Sequence, residues 1–377
     1  MTEQQALQKM ISPSTNRPSK YGSDRGFGGV IQIHLTRACD KSCYSCTQGS
    51  NLGGKTHFMS VEHFRQAVES LKGYRGIIGV FGGNPATHPQ FIDICAVLRE
   101  MVPFNRRGLW CNNPITIEKA QEMSRTFDPS VSNLNTHLDT KAYQMFRRGW
   151  PTSRPFGHNE DSRHSPPYVA MKDVLKKDCP VDDGLGTHDG CKVCNGTGQV
   201  YDESRAWELI SNCDINKGWS ALVGVFRGEL RAWFCEIAGA QSILHQDEPD
   251  YPDTGLRIND KGAVVLDSDF GPTTVVKPLS IPSLEGKLNN FVRWWELPMS
   301  AFGHQVRKHC HDCGVPLRGH GQLAQGSEEQ LEQVSVTHQS IYKTKRKDRR
   351  IELVTVESQL GERLGKVTDY MGNARRN

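Results

Sequence analysis

The chain has 377 residues, with 46 lysines and arginines against 42 aspartates and glutamates, a formal net charge of +4 and a mean hydropathy of −0.56. This length suffices for one large domain with an appendage or for two domains, and so small a charge does not by itself indicate a nucleic-acid partner. No apolar run approaches the roughly 18 residues that a membrane-spanning helix needs, and residues 1–17 lack the apolar segment of a secretion signal. We therefore expect a cytoplasmic protein without a membrane partner.

Short apolar runs alternate with helix-period segments between residues 29 and 150. The first predicted strand covers residues 30–35, and Ser60 can cap the helix that follows. Further strands are predicted at 77–81, 109–111 and 131–138, with helices that begin at Pro89 and near Ile117. Repeated strand–helix units indicate a parallel sheet with helices outside it and ligands at the carboxyl ends of its strands.

The regular alternation of predicted strands and helices ends after residue 150. Residues 151–212 are rich in prolines and loops, with one predicted helix at 201–210, and segments 221–226 and 230–234 predict a hairpin that turns at Arg227 and Gly228. The predicted divisions are an N-terminal segment (1–28), a core (29–150), a loop-rich insertion (151–212), a metal-binding region with the remaining core (213–320) and a polar, partly basic tail (321–377).

Twelve cysteines make up about 3% of the chain, well below the roughly 8 to 10% of disulfide scaffolds. In a reducing compartment, clustered cysteines indicate metal binding or catalysis rather than cross-links. Cys95 and Cys111 lie in an apolar helix face and a strand, where we expect buried small hydrophobes. The other cysteines carry the functional interpretation.

The strongest signal is a cysteine loop directly after the first predicted strand. Cys39, Cys43 and Cys46 follow the spacing Cys-x3-Cys-x2-Cys. Three ligands are informative because structural zinc takes four protein ligands, whereas a four-iron cluster held by three cysteines leaves one iron open. A zinc knuckle completed by His34 or His57 is the alternative interpretation of this loop.

The position of this spacing after the first strand of a βα series resembles the radical S-adenosylmethionine (SAM) superfamily. The resemblance implies an α/β fold, a partial (β/α)6 radical SAM barrel with a loop-rich C-terminal metal-binding extension. It implies that Cys39, Cys43 and Cys46 are catalytic and hold a [4Fe–4S] cluster, whose open iron chelates SAM. Reductive cleavage of SAM then gives a 5′-deoxyadenosyl radical that abstracts hydrogen from a substrate. A reductant such as flavodoxin or ferredoxin is the implied partner.

A second match follows the second predicted strand. Gly82, Gly83, Asn84 and Pro85 resemble the Gly-Gly-Glu-x-Pro segment that contacts the SAM amino group in that superfamily. Asn84 stands where the superfamily usually has glutamate. Its amide oxygen can accept a hydrogen bond from the SAM ammonium, but it contributes no charge.

Three more residues are implied as SAM contacts by the same resemblance. Tyr44 stands one position before the superfamily's usual aromatic residue, Asn112 follows the third predicted strand, and Asn135 falls on the fourth. The alternative interpretation of each is a satisfied polar residue of a loop or of the core.

Seven cysteines beyond residue 150 can form a second metal site. They are Cys179, Cys191, Cys194, Cys213, Cys235, Cys310 and Cys313. The last four flank the predicted hairpin and resemble the SPASM and twitch modules of radical SAM enzymes, which implies a second [4Fe–4S] cluster. Zinc is the alternative metal, bound by the first four or by the two Cys-x-x-Cys pairs together. Residues 191–198 resemble the zinc knuckle of the DnaJ chaperone family.

The sequence thus predicts a radical SAM enzyme of unidentified substrate, with a peptide favoured over a nucleotide or RNA because of the auxiliary-cluster-like region. The alternative is a non-catalytic zinc-binding protein that contacts nucleic acid through its tail, where residues 343–350 hold six basic residues in eight.

Overall fold

The computed structural model of the chain describes residues 1–11, 18–19, 22–27, 29–41, 46–50, 56–136, 140–153, 170–181, 190–213, 215–216, 220–259, 263–264 and 293–317. Cys43, Tyr44, the basic run at 343–350 and the rest of the tail lie outside the described residues.

A seven-stranded, mostly parallel sheet organises this α/β structure. The strands of the described residues are Pro18–Ser19 (β1), Gly22–Phe27 (β2), Val30–Thr36 (β3), Ile77–Gly82 (β4), Arg107–Cys111 (β5), Asn133–Leu134 (β6), Lys176–Asp178 (β7), Gln199–Tyr201 (β8), Ser220–Phe226 (β9), Glu229–Trp233 (β10) and Leu256–Arg257 (β11). The large sheet has the order β11-β10-β9-β3-β4-β5-β6. Strands β9, β3, β4, β5 and β6 are parallel to one another, whereas β10 pairs antiparallel with both β9 and β11. Separate pairs join β1 to β2 and β7 to β8.

Helices connect and cover these strands. They are Glu3–Lys9 (α1), Val61–Ser70 (α2), Phe91–Met101 (α3), Ile117–Thr126 (α4), Thr140–Gly149 (α5), Met171–Val174 (α6), Glu203–Ser211 (α7), Glu236–Leu244 (α8) and Gly303–His309 (α9), with short 3-10 turns at Pro85–Thr87, Phe104–Arg106, Trp294–Glu296 and Met299–Phe302. None of the helices in the described ranges is long and apolar enough to cross a membrane.

Strand β3 lies at the centre of the sheet, and all of its residues are buried. Ile31, Ile33 and Leu35 point to one face, where they join the main hydrophobic core together with residues of α2 and α3. The other face carries Gln32 and His34, which are also buried. Burial on both faces is typical of a central strand of a parallel sheet.

The parallel series β3, β4, β5 and β6 confirms the predicted alternation of strands and helices. Strand β9, however, pairs with β3 over Ser220–Val223 rather than extending the series beyond β6. The described strands therefore form an open sheet, and the six-stranded partial barrel is not confirmed. In this position β9 supplies buried Ala221 and Val223 to the main core.

Predictions from short sequence segments were correct where a single turn determines the local structure. The predicted hairpin is confirmed as β9 and β10, and Arg227 and Gly228 adopt φ values of +49° and +85°, as a two-residue hairpin turn requires. Two predicted boundaries were wrong. Tyr201 belongs to β8, because Asp202 caps the helix that follows, and the extended segment at 131–138 has a strand only at Asn133–Leu134 among its described residues.

The buried ring of His88 makes the stability of the protein depend on pH. Its ring is buried between β4 and α3, where Nε2 donates to the Met59 carbonyl (2.8 Å) and Nδ1 accepts from the Gln90 N–H (3.0 Å). Burial lowers the pKa of His88 from 6.5 to about 4. As the pH falls, the unfolded chain therefore takes up this proton first, so the stabilisation present above pH 6.5 is lost between pH 6.5 and 4.

We expect wild-type protein to lose about 2 kcal/mol more of its free energy of unfolding between pH 7 and pH 5 than His88→Gln does. Urea unfolding at the two pH values measures the difference. His63→Gln, in the first turn of α2, is the matched control for the loss of a histidine. Equal pH slopes for His88→Gln and wild type would contradict the assignment.

Candidate functional site

The carboxyl ends of β3, β4 and β5 meet at one edge of the sheet, where parallel topology places ligands. Cys39 follows β3, the Gly-Gly-Asn-Pro turn ends β4, and Asn112 and Asn113 follow β5. The two sequence motifs are therefore brought together, as the order of the strands predicts.

Gly82 and Gly83 allow the turn after β4 to pack directly against the chain that leads into Cys39. The Gly83 N–H donates to the Thr36 carbonyl and the Asn84 N–H to the Ala38 carbonyl, both at 2.7 Å. A Cβ on Gly82, whose φ is +138°, would overlap the Thr36 oxygen, and one on Gly83 would overlap the Ala38 oxygen. The space left by the missing side chains is thus filled by the cysteine loop itself.

Asp40 lies at the centre of this edge, and the sequence analysis did not identify it. Asn84 Nδ2 donates to Asp40 Oδ1 at 2.8 Å, and Asn113 Nδ2 donates to Asp40 Oδ2 at 2.9 Å. Both asparagines are completely buried, whereas Asp40 is half-buried. Its place next to Cys39 was the available signal, but the sequence does not show that two distant amides converge on it.

The hydrogen bonds of Asn84 occupy both ends of its side-chain amide. Its Oδ1 accepts from the Ala86 N–H (3.1 Å) and from the Cys111 thiol (3.2 Å), while Nδ2 also donates to the Asn113 carbonyl (3.0 Å). Burial raises the pKa of Cys111 to about 12, so its sulfur keeps the proton that it donates. Both lone pairs of the amide oxygen are used, which leaves no acceptor for a SAM ammonium.

Asn112 contacts the first cysteine of the loop. Its Nδ2 donates to Cys39 Sγ at 3.3 Å, and the Lys41 N–H lies 3.4 Å from the same sulfur. Hydrogen bonds of this kind tune metal–sulfur centres. Cys46 is half-buried in the same loop, whose Cys43 lies outside the described residues.

The remaining predicted SAM contacts are near this edge or beyond it. Pro85 begins the buried 3-10 turn that follows Asn84. The Asn135 N–H donates to the Cys111 carbonyl at 2.8 Å, which places this residue beside the end of β5. Tyr44 lies outside the described residues.

Buried His34, on the polar face of β3, forms a pair with half-buried His57. Their rings stack with centroids 5.4 Å apart, and neither ring nitrogen of His34 has a hydrogen-bond partner. Burial is the largest cause that lowers the pKa of His34 well below 6.5 and that of His57 to about 3. The positive charge of Arg37 lowers both further. Among the described residues, neither ring forms a compact metal-binding group with Cys39 or Cys46.

A second group of cysteines is formed by Cys213, Cys235, Cys310 and Cys313. Cys313 packs with Ile215 beside Cys213 and Cys235. Burial raises the pKa of Cys235 and of Cys310 well above 9.0, and negative charge on the other cysteines of the group raises both further. Burial likewise raises the pKa of Cys313 to about 12. Ionised thiolates in this group would therefore need a cation to offset their charge.

Cys179, Cys191 and Cys194 form a third and separate group. Their Sγ atoms all lie within 4.8 Å of one another, with Cys179 and Cys191 3.9 Å apart. Backbone N–H groups of Cys194 and Val193 lower the pKa of Cys191 to about 7. Because Cys213 packs against Cys313 instead, the described residues form neither of the larger zinc sites predicted as alternatives, one with Cys213 and one with both Cys-x-x-Cys pairs.

Comparison with known proteins gives little beyond these observations. No family model and no curated protein matches the chain. A crystal structure of BtrN in complex with AdoMet and 2-DOIA matches 59% of this chain and 83% of its own, at 14% sequence identity and a TM-score of 0.33. A likeness this weak carries no argument about the fold or chemistry of this chain.

Proposed function

We propose that the chain is a radical SAM enzyme whose catalytic [4Fe–4S] cluster is held by Cys39, Cys43 and Cys46. The observation that carries the proposal is the meeting of the cysteine loop with the Gly-Gly-Asn-Pro turn, where Gly83 and Asn84 donate to the carbonyls of Thr36 and Ala38. Two motifs separated in the sequence thus form one surface at the carboxyl edge of the sheet.

The described residues of this edge fit such a cluster and SAM. The Asn112 amide donates to the Cys39 sulfur, as donors around iron–sulfur centres do. Asp40, Asn84 and Asn113 place a carboxylate beside it, which suits a ligand that carries an ammonium group. When bound, the cluster would supply one electron to the sulfonium of SAM and so generate a 5′-deoxyadenosyl radical.

The chain's own part is to orient the ligands and to limit access of water. Asn112 would hold the Cys39 sulfur in place, while Gly82 and Gly83 keep the loop close to β4. Buried Ala86 and His88 close the side of the edge next to α3. A site shielded in this way protects a reactive radical from side reactions.

A second [4Fe–4S] cluster is proposed at Cys213, Cys235, Cys310 and Cys313. No three of these sulfurs fall within 4.8 Å of one another, whereas thiolates on a single zinc ion are about 3.8 Å apart, given Zn–S bonds of about 2.3 Å. In a four-iron cluster each thiolate binds a different iron, so wider spacing is expected. On analogy with auxiliary-cluster modules we propose a peptide substrate and a reductant of the flavodoxin or ferredoxin type.

Cys39→Ala is expected to abolish the formation of 5′-deoxyadenosine from SAM under dithionite, because the cluster loses a ligand. Anaerobically prepared protein should also lose about four irons per chain. Cys95→Ala is the matched control, since its buried thiol lies in α3 away from the edge, and it should retain both iron and cleavage. Wild-type rates of cleavage in Cys39→Ala would overturn the proposed function.

Cys235→Ala tests the second cluster separately. Iron content should fall from about eight to about four per chain, while reductive cleavage of SAM persists because the first cluster is intact. Iron analysis together with product analysis by liquid chromatography measures both properties. Unchanged iron in Cys235→Ala, with wild-type stability, would show that this group does not hold a cluster.

A further inference from the structure

The hairpin of β7 and β8 has little apolar core of its own. Every residue of β7 is exposed, and the two strands pair over only three residues each. Two-stranded hairpins of this size are marginal in water. Cys179 directly follows β7, and its N–H donates to the Gly198 carbonyl at 2.8 Å, which places it beside the turn that carries Cys191 and Cys194.

The backbone of that turn brings the three thiols together. Gly190, Asn195, Gly196 and Gly198 have φ values of +73°, +52°, +79° and +71°. Glycine adopts such left-handed conformations without steric cost, and asparagine tolerates them better than most residues. The chain thus reverses around one point, towards which the sulfurs converge from two sides of the hairpin.

We infer that Cys179, Cys191 and Cys194 bind a structural zinc ion that is separate from the clusters of the proposed function. The Cys179–Cys191 sulfur separation of 3.9 Å agrees with the edge of a tetrahedron around zinc, about 3.8 Å for Zn–S bonds of about 2.3 Å. A disulfide would need about 2.05 Å. The described residues thus provide three of the four ligands that structural zinc takes.

The zinc ion would fix the hairpin against the loop between Cys310 and Cys313. The Tyr201 hydroxyl on β8 lies 2.6 Å from Nδ1 of His311. Lys172, in α6 before β7, donates its N–H to the His311 carbonyl (3.1 Å) and pairs through Nζ with Asp312 (2.6 Å). The zinc site would therefore be structural. It would stabilise the hairpin of β7 and β8, which packs against the second cysteine group.

The test uses full-length protein prepared anaerobically from zinc-supplemented medium. Zinc should be present at about one ion per chain, and Cys191→Ser combined with Cys194→Ser should remove it without lowering the iron content. Val193→Ser changes an exposed residue of the same turn and is the matched control. Hydrogen exchange should become faster at β7, β8 and the Cys310–Cys313 loop in the double variant only.

Two results would overturn the inference. One is a wild-type protein without zinc, and the other is a double variant that keeps its zinc. If the double variant instead loses iron from this turn, the site holds iron, and the assignment to zinc is wrong. Failure of the proposed function, seen as a wild type without iron, leaves the zinc measurement unaffected.

A second inference rests on the proposed function and on a different observation. We infer that Asp40 supplies the negative charge that contacts the SAM ammonium. Asn84 and Asn113 each donate one hydrogen bond to a different oxygen of Asp40. An ionised carboxylate offers about four acceptor positions, so about two remain after these bonds, on a side chain that is half-buried next to Cys39.

In this arrangement the negative charge lies in the cysteine loop, at Asp40, and not in the turn after β4. Asn84 is neutral, completely buried and saturated with hydrogen bonds, so it serves as a positioning residue for Asp40. Asn113 performs the same task from the end of β5. The two side-chain amides orient the Asp40 carboxylate. They thereby restrict the directions from which it can accept a hydrogen bond from a ligand.

The test compares the binding of SAM with the binding of an analogue that lacks the amino group. Asp40→Asn should raise the Kd for SAM about tenfold or more, as expected for a charge-assisted hydrogen bond, but should leave the Kd of the analogue unchanged. Equilibrium dialysis on reconstituted protein measures both, with iron content as a check on the cluster. Asp93→Asn, in the first turn of α3, is the matched control.

The outcomes separate this inference from the proposed function. A wild type that binds neither iron nor SAM contradicts the function itself. A wild type that binds SAM, with an unchanged Kd in Asp40→Asn, contradicts only the role of Asp40. Equal weakening for SAM and the analogue would show that Asp40 merely holds the loop. Asn113→Ala, which leaves the charge in place, should weaken SAM binding less than Asp40→Asn does.

Discussion

The hydrogen bonds from Asn84 and Asn113 to Asp40 are the interaction on which the candidate site depends. They join the loop after β3 to the ends of β4 and β5, three segments that are distant in the sequence. Both amides are buried, so breaking one bond would leave a polar group without a partner away from water. This cost favours a single arrangement of the edge, with Cys39 in a defined place.

Backbone packing imposes the same arrangement independently. Gly82 and Gly83 lie against Thr36 and Ala38 so closely that any side chain would overlap a carbonyl oxygen. The glycines therefore allow the cysteine loop to pack against the turn after β4 even without a ligand. A pattern that resembles a ligand-binding motif is also, in this fold, the condition for placing the cysteine loop beside β4.

The parts of the structure that the sequence predicted are those that local chemistry determines. Arg227 and Gly228 predicted the hairpin, and the apolar residues of β3 predicted the first strand of the sheet. Asp40 was missed because its partners lie on two other strand ends. The position of β9 beside β3 was missed for a similar reason, since strand order depends on contacts between distant segments and not on any short segment.

Distances between sulfur atoms distinguish the two proposed metal sites, which spacing in the sequence leaves equivalent. Two Cys-x-x-Cys pairs look alike in the chain, yet Cys191 and Cys194 gather with Cys179 around one point, whereas Cys310 and Cys313 join a wider group. A single ion demands close sulfurs and a four-iron core demands separated ones.

His311 connects these two groups physically. It lies between Cys310 and Cys313 and contacts Tyr201, and its ring also packs edge-to-face on Trp207 at 4.6 Å. A region with little apolar core gains stability when metal binding is coupled to its folding. Because the loop that carries Cys310 and Cys313 rests on the hairpin that holds the third group, the compact site can stabilise the wider one without sharing a ligand with it.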